Sequence, residues 1–383
     1  MSLDFLREYG ARRIQAESPQ PLLLGQSQVL APSDEPTLWD YEVEADAWRP
    51  LRTGSGDEHA DSRQADAWRP LRTGSGDEHA DSRQADAWAL RPRRFIDGKD
   101  VGRTVAWLRS PQGYPVPVRL SQIGAVSMRA ARQEGERDTL RLESWSAQRV
   151  VSLMVDFFPW DEVEAFAREL SRRGFRLLPV EIPRSSPDRP EVNLFDFERM
   201  RKATYNRTLD EMRRLECEAL ASGPLLPVVV DGDLKPHVGA FDAAQAPVVG
   251  VVKSHSTNYL HAQGWRAFHD LKPGERTPAF VRQSEHLSMV SWYLRLGSGR
   301  APNPNQGIVR VEIARDYFER KMGRDPAHLN AVSRSLRRLR CRNEDYNRAG
   351  VSIAPVVRAE ETLGALFTPT ETLTSRFYHM TGL

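Results

Sequence analysis

Two cysteines in 383 residues, Cys217 and Cys341, exclude a disulfide framework and a cysteine-rich metal site, since they lie far apart and outside any metal-ligand spacing. Cys217 falls in a helical segment and Cys341 in an arginine-rich run, and both are expected to be reduced thiols of a cytosolic protein. Long apolar runs are missing as well. No stretch approaches the roughly 20 residues that cross a bilayer, and the start Met1-Ser2-Leu3-Asp4 has no basic-then-apolar leader. The expectation is a soluble, cytoplasmic protein without a membrane partner. Nor does one sign of charge dominate: 54 Lys and Arg face 52 Asp and Glu, for a net charge of +2. Net charge therefore does not announce a polyanionic partner. Lysine is scarce beside arginine, a bias that GC-rich coding explains without selection for phosphate binding.

What is present is a pair of Asp-Gly dipeptides, each closing an apolar strand-like run. The first is Phe95-Ile96-Asp97-Gly98, and the second is Val228-Val229-Val230-Asp231-Gly232. Apolar runs without alternation read as strands buried on both faces. An acid at the tip of such a strand, followed by a glycine that lets the chain turn, faces a cleft at the sheet edge. Two of them can share a metal ion. Asp-Gly is also a common turn dipeptide, so the pair gains meaning from what lies between.

Between them, Tyr205 to Ser222 reads as a helix stopped by Gly223 and Pro224. Tyr205, Leu209, Met212, Leu215, Ala219 and Leu220 form its apolar stripe. Glu216 falls inside that stripe, whereas Glu211 and Glu218 are expected on the other side. A glutamate on a buried stripe is costly unless paired, protonated or metal-bound. The order strand-Asp, further strands, helix-Glu, strand-Asp is the carboxylate order of the ribonuclease H fold. The alternative is that Glu216 pairs with an arginine such as Arg119 or Arg129.

Residues Ala45 to Gln64 recur unchanged as Ala65 to Gln84, and a third start, Ala85-Asp86-Ala87-Trp88, then diverges. Solenoid repeats carry a regular apolar pattern. These copies are instead rich in Gly, Ser, Asp and Arg, and their identity points to a recent in-frame duplication. The expectation is a polar, flexible insertion without catalytic duty, its His59 and His79 lying in an acidic loop and not in a metal site. The chain thus divides into an N-terminal helix and connection (1–44), the duplicated insertion (45–88) and a large α/β domain (89–383).

Within that domain, Arg103 to Leu108 and Tyr114 to Arg129 predict a hairpin around Ser110-Pro111-Gln112-Gly113. Asp161 to Arg173 predicts a helix with Asp161 as its cap, and Leu3 to Ala16 a short amphipathic helix. Further strands are expected at 247–253, 287–296 and 307–313, and a C-terminal helix from Pro355. The fold class is α/β, a ribonuclease H-like mixed sheet with flanking helices. Lys253 ends the strand after Asp231 and leans toward the same cleft. Arg334, Arg337 and Arg338 share a helix face that could track a polyanion, although such runs are more often solvated surface.

With these residues in place, the chain resembles the NurA nuclease family from about Arg93 to the C-terminal helix. The resemblance rests on Phe95-Ile96-Asp97-Gly98, on Met212 to Leu220 leading into Val228 to Leu234, on Val249 to Ser254, on Gly274 to Phe280, and on Val309 to Glu312. It implies a manganese-dependent 5′-to-3′ exonuclease with single-strand endonuclease activity, a homodimer, and partnership with the HerA-type hexameric ATPase in DNA end resection. DNA and that ATPase are then the expected partners, and the nucleoid the expected location. The family commonly places a histidine at the start of a late helix after a Pro; here Pro355 to Glu361 carries glutamates instead. Glu360 lies in the stripe Val356, Val357, Leu363, Gly364 and Phe367, so it is expected either at the metal site or paired with Arg310 in the core.

The chemistry this predicts is metal-assisted phosphodiester hydrolysis. Asp97, Glu216 and Asp231, with Glu360, would hold Mn²⁺ or Mg²⁺ through hard oxygen ligands. Lys253 would neutralise the scissile phosphate. Two other readings stay open: a Piwi-like module that binds nucleic acid without cutting, and a subunit that regulates an ATPase.

Overall fold

Apolar residues precede both Asp-Gly pairs, Phe95-Ile96 in one run and Val228 to Val230 in the other, and these runs become neighbouring strands of one continuous mixed sheet. The computed structural model describes residues 4–14, 39–40, 44, 48–53, 91–131, 139–181, 197–254, 258–283, 287–297, 306–342 and 351–383. Three short strands come first: β1 (Arg12–Arg13), β2 (Trp39–Asp40) and β3 (Leu51–Arg52). The body follows as β4 (Arg94–Arg109), β5 (Pro115–Ala131), β6 (Thr139–Met154), β7 (Arg176–Val180), β8 (Val228–Asp231) and β9 (Val248–Val252), then β10 (Glu275–Arg276), β11 (Phe280–Arg282), β12 (Met289–Arg295) and β13 (Ile308–Ala314). The helices that matter are α1 (Trp160–Arg172), α2 (Phe197–Ala221), α3 (Ala262–His269), α4 (Pro326–Arg338), α5 (Ala354–Leu366) and α6 (Thr370–Thr381).

Across the sheet the order is β2-β11-β12-β13-β9-β8-β4-β5-β6-β7. Strands β4, β5 and β6 form an antiparallel meander. The chain then crosses by α2 into β8, parallel to β4, and β9 lies parallel to β8. This is the α/β sheet with flanking helices that the sequence predicts. Helix α2 packs over β4, β5 and β6, and α5 over β4 and β5. The two helices take opposite faces. A side chain at Gly98 would strike Glu216 and Met212 of α2, whereas one at Gly124 would strike Leu363 and Phe367 by α5. Gly98 pairs with Ala125, whose side chain points opposite to Gly124. One apolar core lies between the central strands and α4 and α5, and a second packs Phe5 and Leu6 with α1 and α6.

Several local expectations change. The N-terminal helix is only Phe5–Glu8; Gly10 adopts φ +61 and Arg12–Arg13 pairs with Trp107 and Ala106. Helix α1 begins at Trp160 after Pro159, so Asp161 is a first-turn acid and not the cap. Strand β4 does not end at Asp97 but runs on to Arg109, because Gly98 and the residues after it keep pairing with β5. Arg310 is in the core, but it pairs there with Glu312, its buried neighbour in β13, and not with Glu360. Helix α6 was not anticipated. Arg334 donates to the Thr53 carbonyl and Arg337 lies against Gly274, so this basic face is partly spent on packing. Among the described residues no helix is long and apolar enough to cross a membrane. Of the duplicated stretch, Trp48 to Thr53 belongs to the folded body, with Leu51–Arg52 paired to β10. The rest, with His59 and His79, lies outside the described residues.

Candidate active site

The register between β4 and β8 brings the two aspartates together. Arg94, Phe95 and Ile96 face Val228, Val229 and Val230, and the next step sets Asp97 beside Asp231. Val251 of β9 lies next to Asp231, and two residues further on the same face Lys253 donates to Asp231 Oδ2 at 2.8 Å. Burial, and then repulsion from Asp231, raises the Asp97 carboxyl well above the ordinary carboxylate range. Lys253 opposes the rise, while Glu216 and Glu360 add to it. Four of the residues singled out in the sequence thus bear on the charge of the fifth, Asp97.

Glu216 arrives from the other face. Helix α2 buries it, and its carboxylate rests against the backbone of Gly98; a Cβ there would stand 2.5 Å from Oε1 and 2.9 Å from Cδ. The glycine after Asp97 is thus needed for close approach and not for a turn. Gly232, after Asp231, does turn the chain, with φ +119. Glu216 pairs with neither Arg119 nor Arg129, which engage Asp100 and Glu143. Its partner is His237, with Nε2 3.3 Å from Glu216 Oε2 and Nδ1 3.1 Å from the Asp233 carbonyl. A carbonyl only accepts, so Nδ1 donates to it, while Nε2 faces the Glu216 carboxylate without an aligned hydrogen bond. His237 is buried in a 3-10 turn with no periodicity to betray it.

Glu360 sits at the rim, 3.6 Å from Lys99 Nζ, and Arg310 is not its partner. Glu211, expected outside, is buried instead. It is held by Arg176, Arg207 and Arg214, and although burial works to raise its carboxyl, Arg214 and Arg176 bring it below the ordinary range. Glu218 is exposed and pairs with Arg214, as the wheel predicts.

Behind Asp231 a buried ion network fixes the turn. Asp233 takes both Arg282 terminal nitrogens, at 2.7 and 2.9 Å, and a longer contact from Arg310 at 3.4 Å. Burial works to raise the Asp233 carboxyl, but the Arg282 hydrogen bonds win and hold it well below the usual range. Glu312 pairs with Arg310 and Arg282 and accepts the Leu234 amide at 2.6 Å; burial pushes it up to about 7. This network was invisible in the sequence because its members come from a turn and two strands. It pins residues 233 and 234 to the sheet, and so fixes where Asp231 points.

Of these acids Asp231 opens onto a cleft of about 480 Å³, lined also by Lys253, Ser254, Arg213, Tyr259 and Arg310. Tyr259 lies over two guanidiniums, 5.0 Å from Arg310 and 5.6 Å from Arg282. Hollows of similar size at Trp145 and at Arg141 lack such an acidic cluster.

Among the described residues, no three His, Cys, Asp or Glu side chains close on one point at ligand distance. Their oxygens are engaged by Lys253, His237 and Lys99 instead. The donor set nevertheless suits a hard divalent cation: carboxylate oxygens only, with a buried Asp97 whose charge its carboxylate neighbours disfavour. No family model and no curated protein matches this chain.

Proposed function

We propose that this protein is a divalent-metal-dependent nuclease that hydrolyses phosphodiester bonds of DNA. The observation that carries the reading is the buried Asp97 set beside Asp231, its charge disfavoured by burial, Asp231, Glu216 and Glu360 and favoured by Lys253. Such crowding is unfavourable in isolation and is relieved by a cation. Asp97 and Asp231 would hold Mn²⁺ or Mg²⁺, with Glu216 and Glu360 completing the set. A bound divalent ion supplies Lewis-acid charge and a hydroxide nucleophile.

The protein's own groups do the rest. Lys253 leaves Asp231 for the scissile phosphate when substrate enters, offering its ammonium as a point charge. His237 holds the Glu216 carboxylate in place through the gap at Gly98. Arg213 gives the cleft positive charge for the flanking backbone, and Tyr259, stacked on the buried Arg310, gives it an aromatic face, a combination suited to nucleic acid. The motif resemblance to NurA nucleases extends the proposal to 5′-to-3′ exonuclease and single-strand endonuclease activity, to a homodimer, and to end resection in double-strand break repair beside a HerA-type ATPase.

The deciding experiment is cleavage of end-labelled single- and double-stranded DNA with Mn²⁺, Mg²⁺ or EDTA. Cleavage that needs the divalent ion and is lost in Asp97→Asn and Asp231→Asn supports the proposal. Binding without cleavage under all three conditions favours the Piwi-like binding module, a reading that draws on the direct Lys253–Asp231 ion pair.

A further inference from the structure

We propose that Glu44 selects which copy of the duplicated sequence completes the sheet, and that Arg276 is the residue that reads it. The first copy docks in a slot beside β10 and α3. Leu51 and Arg52 pair antiparallel with Arg276 and Glu275, Thr53 Oγ1 donates to the Gly274 carbonyl at 2.8 Å, and Trp48 meets His261 edge-on at 4.9 Å. Gly264 approaches the Trp48 ring so closely that a Cβ there would lie 3.2 Å away.

Each of these groups recurs 20 residues later as Trp68, Leu71, Arg72 and Thr73. On these contacts alone the slot has no means of telling one copy from the other. Chain length offers no discrimination either: the 17 residues from Gly74 to Leu90 would reach roughly 55–60 Å when extended.

The difference stands one residue ahead of each copy. Before the first is Glu44, and before the second is Gln64. Glu44 receives Arg276 Nη1 and Nη2 at 2.7 Å each, and its Oε2 also accepts the Ala279 amide at 2.7 Å. Arg276 is 1% exposed. A buried guanidinium requires a carboxylate, and the fork-to-fork geometry here supplies it. A glutamine in that place brings no charge and sets an amide N–H₂ against guanidinium donors. The slot is therefore a strand-addition site whose specificity lies in Glu44-Arg276, with this chain's own first copy as occupant.

Disulfide trapping tests this in the full chain, with Cys217 and Cys341 replaced by serine. Facing residues of antiparallel strands lie within disulfide reach. Under thiol exchange, Arg52→Cys with Glu275→Cys should close an intramolecular bond, and Arg72→Cys with Glu275→Cys should close at least about tenfold less. Adding Glu44→Gln together with Gln64→Glu keeps Arg276 paired, and should invert that preference. Persistence of the bond between positions 52 and 275 in the exchanged protein would overturn the proposal. So would ready bonding of position 72 to position 275 in the unexchanged one, whether within a chain or between two. Melting curves of each protein confirm that the comparison is made on folded material.

Discussion

Gly98→Ala is the sharpest probe of the site, because it adds one methyl group at the point where Glu216 passes to Asp97. The new Cβ would stand 2.5 Å from Glu216 Oε1, 2.9 Å from its Cδ and 3.0 Å from Met212 Cγ. Carbon contacts settle near 3.5–4.0 Å, so the carboxylate must retreat by about 1 Å. Helix α2 and His237 confine it on the remaining sides. Overpacking of this kind costs about 1–3 kcal/mol, a fall in melting temperature of roughly 2–4 °C per kcal/mol for a domain of this class. Activity should suffer far more, since a 1 Å misplacement near reacting groups costs about a hundredfold. The control is Gly364→Ala, whose Cβ would meet only the movable tip of Lys99 at 3.1 Å. It should alter stability little. Glu216→Asp added to Gly98→Ala relieves the clash and should restore stability without restoring cleavage, a non-additivity that a double-mutant cycle reads directly. Wild-type turnover in Gly98→Ala would show that Glu216 has no part in the chemistry.

Four further outcomes are expected. In EDTA, wild-type stability should fall as pH rises from the unfolded Asp value upward, because the folded state holds the Asp97 proton more tightly; Asp97→Asn should remove that slope in denaturant melts, and Mn²⁺ should restore wild-type stability at neutral pH. Glu211→Gln should cost about 1 kcal/mol at neutral pH by removing the charge that three part-exposed arginines share; the loss should vanish as pH falls through the lowered Glu211 pKa, where the wild type loses the same charge. Glu360→Gln should leave stability within about 1 kcal/mol, since its pairing with Lys99 is at the rim, while raising the Mn²⁺ needed for half-maximal cleavage. Deleting residues 65–84 should leave melting temperature and cleavage nearly unchanged, because Glu44 and one intact copy remain to fill the slot.

What the sequence made legible follows from how local each signal is. Val228 to Asp231 is readable because three consecutive β-branched residues fit only a doubly buried strand, and Gly232 marks its end. Glu216 is readable because burying a carboxylate on an apolar stripe demands a reason. The same wheel fails at Glu211, since it sees one helix while Arg176 comes from β7. It misreads Gly98 for a related reason. A glycine that admits another element looks identical, in sequence, to one that turns the chain, and only the pairing of Gly98 with Ala125 separates the two. His237 and the Asp233–Arg282–Arg310–Glu312 network lie beyond any periodicity, because their meaning is set by partners 21 to 78 residues away. The polar groups that surround the acids are thus the non-local part of the site, and they carry its geometry. Asp231 points where it does because Arg282 and Glu312 clamp the two residues that follow Gly232. A substitution such as Arg282→Met would accordingly act on cleavage through the turn, without touching a carboxylate of the site.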